Sequence, residues 1–154
     1  MIDIRTLLPR NHVVLNLKAG TRTEAFAALV APLAQDGIVT DPEQFLQALD
    51  AREAQVTTQL TGAVALPHAR SPVVRRLGLA VGVAAEPGIE FSSEWDSPVR
   101  LLFLIAVPAF APIAHLPLLQ HLAKFSRNPA GVERLLACTT QARLINALSR
   151  YKGK

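Results

Sequence analysis

The sequence predicts an α/β fold in which helices cover both faces of a sheet, and two observations lead to it. Three β-prone runs, at 63–66, 77–84 and 99–107, are almost continuously apolar, which is typical of strands covered on both faces. Segments with helical signals occur before and after these runs, at 21–36, 41–53, 114–125, 131–138 and 140–149. Because covered strands need helices over them, an α/β sandwich follows. A short helix at 3–8 and a short strand at 13–17 complete the predicted elements.

Capping residues set the starts of the two helices that precede the apolar runs. Thr21 and Glu24 have the spacing of a capping box, and this helix should end at Asp36-Gly37. The segment Asp41-Pro42-Glu43-Gln44 repeats the same start, with a capping carboxylate followed by proline at the first helical position. We therefore expect the second helix to present Arg52 and Glu53 at its carboxyl end.

Length and composition indicate one folded domain. The chain has 154 residues, of which 50% are hydrophobic and 18% charged, enough apolar material for a core and too much for disorder. We expect residues 1–150 to form a single domain and residues 151–154 to form a basic C-terminal tail. The net charge of +4 favours acidic partners, but scattered basic residues and 5% aromatic content do not favour nucleic-acid binding.

Cysteine content and hydropathy favour a cytoplasmic location. The single cysteine, Cys138, cannot form an internal disulfide, and the first residues lack the layout of a secretory signal. The longest apolar run, at 101–107 and extended to Phe110, is far shorter than the roughly 20 residues that span a bilayer. We therefore expect a chain that is not inserted in a membrane.

Four histidines are the main candidates for chemistry, because the sequence has no Cys pair, no HExxH motif and no phosphate-binding glycine loop. His68 follows Ala65-Leu66-Pro67, so it is predicted just past the end of a buried strand, where α/β sheets bind ligands. On position alone, a surface histidine at a strand-to-loop turn is the more common case. His12 and His121 look structural or exposed, and no role is assigned to them.

Two blocks of sequence resemble a known family. The first is Arg52-Glu53-Ala54, then Leu60, then Val64-Ala65-Leu66-Pro67-His68-Ala69-Arg70. The second is the apolar run from Pro98 to Pro108, followed by His115-Leu116-Pro117-Leu118-Leu119. Together they resemble the fructose/mannitol-type (type 2) IIA components of the bacterial phosphoenolpyruvate-dependent sugar phosphotransferase system, which include the nitrogen-regulatory IIA proteins.

The resemblance implies a fold, a reaction and a site. The fold would be a single mixed β-sheet flanked by helices on both faces, IIA type-2 phosphotransferase-like. His68 would accept a phosphoryl group from the histidine phosphocarrier protein HPr, or its nitrogen-branch counterpart, and pass it to a IIB domain or hold it as a regulatory state. His115 would be the second active-site histidine and Arg52 the active-site arginine, with no metal or nucleotide cofactor. Without the resemblance, Arg52 and His115 could be ordinary solvated residues at helix ends.

The segment ahead of His68 departs from the family pattern. Three glycines that the family usually carries are Gln59, Thr61 and Ala63 in this chain. If any of these positions needed a positive φ, the replacement would cost about 1 kcal/mol or force the loop to rebuild. This departure leaves open a second function, a regulatory protein-binding module of the same fold that is not, or only weakly, phosphorylated.

Two further readings of the sequence are weaker. The basic residues Arg70, Arg75 and Arg76 follow His68 and could steer an acidic partner, although such runs are more often solvated surface. Metal-dependent hydrolysis through His68 and His115 has little support, because no carboxylate stands at a recognisable ligand spacing.

Overall fold

The architecture is a mixed sheet with helices on both faces, seen in a computed structural model of the protein that describes residues 2–61 and 63–153. The strands are β1 (Val13–Leu17), β2 (Gln59–Thr61), β3 (Val64–Ala65), β4 (His68–Ser71), β5 (Gly78–Ala84) and β6 (Leu101–Pro108). The helices are α1 (Ile4–Leu7), α2 (Arg22–Gln35), α3 (Pro42–Gln55), α4 (Leu116–Ser126), α5 (Pro129–Leu136) and α6 (Gln141–Ser149), with a short 3-10 turn at Arg10–His12.

The central strand of the sheet is β6. The order is β1-β5-β6-β3-β2, and β4 also pairs with β6, on the side where β3 pairs. β1 runs parallel to β5, β5 runs antiparallel to β6, and both β3 and β4 run parallel to β6. The predicted single mixed sheet with helices on both faces is therefore confirmed.

Two hydrophobic cores lie on opposite faces of this sheet. All eight residues of β6 are buried, and their side chains alternate between the cores, as expected for a strand covered on both faces. Leu102, Leu104 and Ala106 pack into the core beneath α2 and α3. Leu101, Phe103, Ile105 and Val107 pack into the core beneath α1, α4, α5 and α6.

The capping residues act at the predicted helix starts. The Oγ1 atom of Thr21 accepts from the backbone N–H of Glu24 at 3.1 Å, and Oδ1 of Asp41 accepts from that of Gln44 at 3.1 Å. Gly37, with φ of +74°, follows the end of α2. α4 begins at Leu116 rather than at 114, because successive turns occupy the residues before it.

β3 and β4 run one after the other along the same side of β6. The register does not slip between them, with Ala65 opposite Leu102 and His68 opposite Ile105. Leu66 and Pro67 belong to neither strand, and Pro67 has no N–H to donate, but its carbonyl still accepts from the N–H of Ile105 in β6 at 2.9 Å. As predicted, the buried strand ends before His68, since β3 stops at Ala65. His68 does not lie in a loop, however, because it is the first residue of the next strand, β4.

The histidines without an assigned role lie away from this strand. His12 is buried, with Nδ1 at 2.9 Å from the carbonyl oxygen of Leu79 and Nε2 at 2.7 Å from Oδ2 of Asp36. The ring of His121 packs on that of Tyr151, which also contacts Phe125.

Across residues 2–61 and 63–153, no helix is long and apolar enough to cross a bilayer.

Candidate functional site

The three predicted site residues line one open depression of about 500 Å³. Its walls come from the carboxyl-terminal half of α3, from β4 and from the turn that leads into α4. Its lining side chains include those of Arg52, His68, Arg70, Ile113, His115 and Leu116. The structure thus brings together residues from three separate stretches of sequence.

His68 presents one ring nitrogen as a free nucleophile. Its Nδ1 lies 2.8 Å from the backbone carbonyl oxygen of Leu66, and because a carbonyl only accepts, Nδ1 carries the proton. The lone pair is then on Nε2. Burial lowers the pKa of His68, and the charges of Arg52 and Arg70 lower it further, against the raising effects of the Leu66 hydrogen bond and of Glu53. The imidazole is therefore neutral near pH 7.

His115 supplies a second neutral imidazole. It is the residue before α4, its side chain is buried, and its ring centroid lies 5.6 Å from that of His68 with the planes inclined at 36°. Burial lowers the pKa of His115, and His68 and Arg70 lower it further. Its buried Nδ1 has no hydrogen-bond partner among the described residues. Pro117 lies in the first turn of α4, where its missing N–H is tolerated.

Arg52 brings a positive charge to the depression from the last turn of α3. Its Nη1 donates to the backbone carbonyl of Val56 at 2.8 Å, which holds the side chain across the end of the helix. A guanidinium has five N–H donors in a planar fork suited to the oxygens of a phosphoryl group.

Arg70 is a member of the depression that the sequence indicated only as part of a basic run. Residues two apart in a strand point to the same face, so Arg70 lies beside His68 while Ala69 and Ser71 are buried behind them. Arg76 lies near Asp36 instead. The pKa of Asp36 is lowered mainly by the hydrogen bonds from Asn11 and His12, and the charge of Arg76 makes a smaller contribution in the same direction. The basic residues that follow His68 therefore do not all lie at the depression. The sequence signal for Arg70 is its spacing of two residues from His68, which places both side chains on one face of a strand.

The segment with the replaced glycines shows no backbone strain. Gln59 and Thr61 lie in β2, and among the described non-glycine residues Asn16 alone has a positive φ. Nε2 of Gln59 donates to the carbonyl of Ser97 at 3.0 Å, a contact that glycine could not make. The expected cost of a positive φ at Gln59, Thr61 or Ala63 does not arise, because these residues adopt ordinary backbone conformations.

The arrangement defines a class of site. A neutral imidazole with its Nε2 lone pair in an open depression is a nucleophile, and two arginines beside it favour an anionic electrophile. In the part of the chain that the structure describes, no group of three or more His, Cys, Asp or Glu side chains could hold a metal ion.

Comparisons with known proteins agree with this class. Residues 6–151 match the family model for the phosphoenolpyruvate-dependent sugar phosphotransferase system, EIIA 2. The chain is 31% identical to the fructose-specific EIIA component of Haloferax volcanii, over 96% of this chain and 95% of that protein. It is also 31% identical to the 2-O-alpha-mannosyl-D-glycerate-specific EIIABC component of Escherichia coli, of which it spans 23% while 99% of this chain is covered.

Solved structures show the same fold. The nitrogen regulatory protein IIA-Ntr of Neisseria meningitidis superposes with a TM-score of 0.83 at 27% identity, covering 94% of this chain and 98% of that one. The complex of enzyme IIA mannitol with phosphorylated enzyme IIB mannitol from Escherichia coli gives 0.78 at 25% identity, covering 93% and 99%. The chain therefore belongs to the EIIA type 2 family of the phosphoenolpyruvate-dependent sugar phosphotransferase system.

Proposed function

We propose that this protein is a phosphoryl carrier that is phosphorylated on Nε2 of His68. The donor is a histidine phosphocarrier of the HPr type, or its nitrogen-branch counterpart, and the acceptor is a IIB domain unless the phosphorylated form acts as a regulatory state. The observation that carries the proposal is the hydrogen bond from Nδ1 to the Leu66 carbonyl, which leaves the lone pair on Nε2 of a side chain that lines the depression.

The proposed step exchanges one P–N bond for another. Nε2 of His68 attacks the phosphorus of the donor phosphohistidine, the donor P–N bond breaks, and its electron pair returns to the donor imidazole. Nδ1 keeps its proton throughout, and the Leu66 carbonyl stabilises the positive charge that develops on the His68 ring. Arg52, Arg70 and His115 surround the phosphoryl oxygens and stabilise charge that is spread over them in transfer.

An apolar rim beside His68 supports a protein as the donor and acceptor. Phe110, Ile113 and Leu116 are 77%, 69% and 42% exposed, and the last two line the depression itself. Exposed apolar side chains around a polar centre are typical of protein interfaces. The IIA mannitol relative was solved in complex with phosphorylated IIB, so a IIB-type acceptor on this surface is a natural proposal.

The relatives divide between transport and regulation. The similar proteins include a fructose-specific component and a nitrogen regulatory protein. Both uses require the same phosphorylated histidine in our proposal, so the distinction concerns what the phosphorylated form binds.

The test is transfer from a verified donor. Purified protein is incubated with phosphoenolpyruvate, the general transferase enzyme and a cognate HPr-type protein, and intact mass is measured. We expect one acid-labile phosphoryl group on the wild type and none on His68→Ala, with His121→Ala as a control that is labelled normally. Failure of the wild type with a donor that labels another IIA protein would exclude the carrier function and favour the unphosphorylated binding module.

A further inference from the structure

Glu53 follows Arg52 on α3 but is turned toward the segment that leads into β2. Its side chain is buried, with 5% of its surface exposed. Oε2 accepts from the backbone N–H of Thr58 at 2.7 Å and from Oγ1 of Thr57 at 2.8 Å, and Oε1 accepts from Oγ1 of Thr58 at 2.7 Å. The carboxylate is therefore the acceptor for three donors of one short segment.

A buried carboxylate is costly unless it is paired or fully hydrogen-bonded. Among the described residues, the salt bridges join His12 to Asp36 and Arg100 to Glu86, so the charge of Glu53 is held by neutral donors alone. A threonine hydroxyl and a backbone amide could be satisfied by a neutral acceptor as well. The presence of a charged group at this position points to a use for the charge.

Hydrogen bonds connect Glu53 to the nucleophile. Thr58, which Glu53 holds at two atoms, accepts through its backbone carbonyl from the N–H of Leu66 at 3.0 Å. The carbonyl of Leu66 in turn accepts from Nδ1 of His68 at 2.8 Å. Leu66 lies between β3 and β4, so this hydrogen bond to Thr58 helps to fix its position.

We propose that Glu53 is a positioning residue for His68. Through Thr58 and Leu66 it fixes the carbonyl that selects the Nδ1–H tautomer, and its negative charge stabilises the positive charge that develops on the ring as Nε2 bonds to phosphorus. The inference rests on the proposed phosphorylation of Nε2. The charge of Glu53 favours a positive charge on the His68 ring, as this role requires. Burial lowers the pKa of His68, and Glu53 raises it.

Substitutions at Glu53 separate its geometry from its charge. In Glu53→Gln, the amide oxygen can still accept from Thr57 and the Thr58 N–H, and the amide nitrogen can donate to the Thr58 hydroxyl, so the contacts are retained and the charge is lost. Glu53→Ala removes both. Glu43→Gln is the matched control, because Glu43 is an exposed carboxylate in the first turn of the same helix.

The readout is the imidazole of His68 in the unphosphorylated protein. Ring 15N spectra give the tautomer, and a pH titration gives the midpoint for protonation. We expect the wild type to hold the proton on Nδ1, and Glu53→Ala to gain the Nε2–H form. Glu53→Gln should keep the Nδ1–H form but titrate at lower pH. Both variants should lose about ten-fold in the rate of labelling, because both lack the negative charge that stabilises the developing positive charge on the ring.

Each outcome bears on the inference separately from the carrier function. A folded Glu53→Ala with the wild-type tautomer, or a Glu53→Gln with the wild-type midpoint, would overturn it. If Glu53→Ala does not fold, the midpoint of Glu53→Gln decides. If the wild type is never labelled yet the tautomer and midpoint change as expected, the carrier proposal fails and the positioning of His68 by Glu53 stands.

Discussion

Replacement of Arg52 should slow phosphoryl transfer and also shift the titration of His68. The guanidinium lines the depression, and its Nη1 is tied to the Val56 carbonyl at 2.8 Å, which leaves other N–H donors for the phosphoryl oxygens. A hydrogen bond to a charged group contributes about 1.5–3 kcal/mol, and 1.4 kcal/mol is about ten-fold in rate, so losing one such contact lowers the rate about 10- to 100-fold.

Two variants separate the contribution of the charge of Arg52 from that of its planar guanidinium. Arg52→Gln removes the charge, so we expect the full loss of rate together with a rise in the pKa of His68, because the charge of Arg52 adds to burial in lowering it. Arg52→Lys keeps the charge but not the planar fork, so its rate should be intermediate and the pKa of His68 little changed.

The assay is the initial rate of labelling by a fixed concentration of phosphorylated donor, with the His68 titration followed by NMR. Arg134→Gln is the control, because Arg134 is an exposed arginine that lines a different depression, with Cys138 and Arg143. A folded Arg52→Gln that is labelled as fast as the wild type would refute the assignment of Arg52 to the phosphoryl site.

Three further predictions concern the titratable groups. His115→Gln should lower the rate of labelling about ten-fold while leaving the label on His68, and a variant labelled at the wild-type rate would show that His115 does not contact the phosphoryl group. Because burial lowers the pKa of both His68 and His115, the folded state binds protons at these two histidines less readily than the unfolded chain does. Their contribution to the stability of the folded state is therefore complete above about pH 6.5 and is lost as the pH falls. Urea midpoints across this range should therefore fall less steeply toward acid in a His68→Gln/His115→Gln double variant, and equal slopes would contradict the pKa directions. The hydrogen bonds from Asn11 and His12 lower the pKa of Asp36. The contribution of Asp36 to the stability of the folded state is therefore present above about pH 4 and lost below it. Thermal midpoints of Asp36→Asn should therefore depend less on pH in that acid range than those of Asp96→Asn, an exposed control.

Most of the fold could be predicted because its signals are local. Thr21 and Asp41 cap helices as predicted, and the long apolar runs became β5 and β6. β2 and β4 carry no such signal, since Gln59–Thr61 and His68–Ser71 are short and partly polar. They are strands because β3 and β6 supply hydrogen-bond partners, which is a tertiary effect.

The site was predicted in part, and through the resemblance rather than from physical signals. The convergence of Arg52, His68 and His115 follows from matching motifs, whereas position alone left each with an ordinary structural explanation. The buried contacts of Glu53 with Thr58 could not be foreseen, because they depend on how the end of α3 meets the start of β2. The concern over the replaced glycines arose from the comparison with the family pattern, and the absence of a positive φ at those positions removes its energetic basis.

The strand assignment of His68 has a consequence for the rate of the proposed phosphoryl transfer. His68 begins β4, so its backbone is held by the ladder with β6 instead of moving in a loop. The conformational entropy that a mobile nucleophile would lose on reaching the transition state has already been lost during folding. The proposed transfer to His68 would then require little more than rigid-body docking of a partner on this preformed surface, and the lifetime of the encounter complex can be correspondingly short.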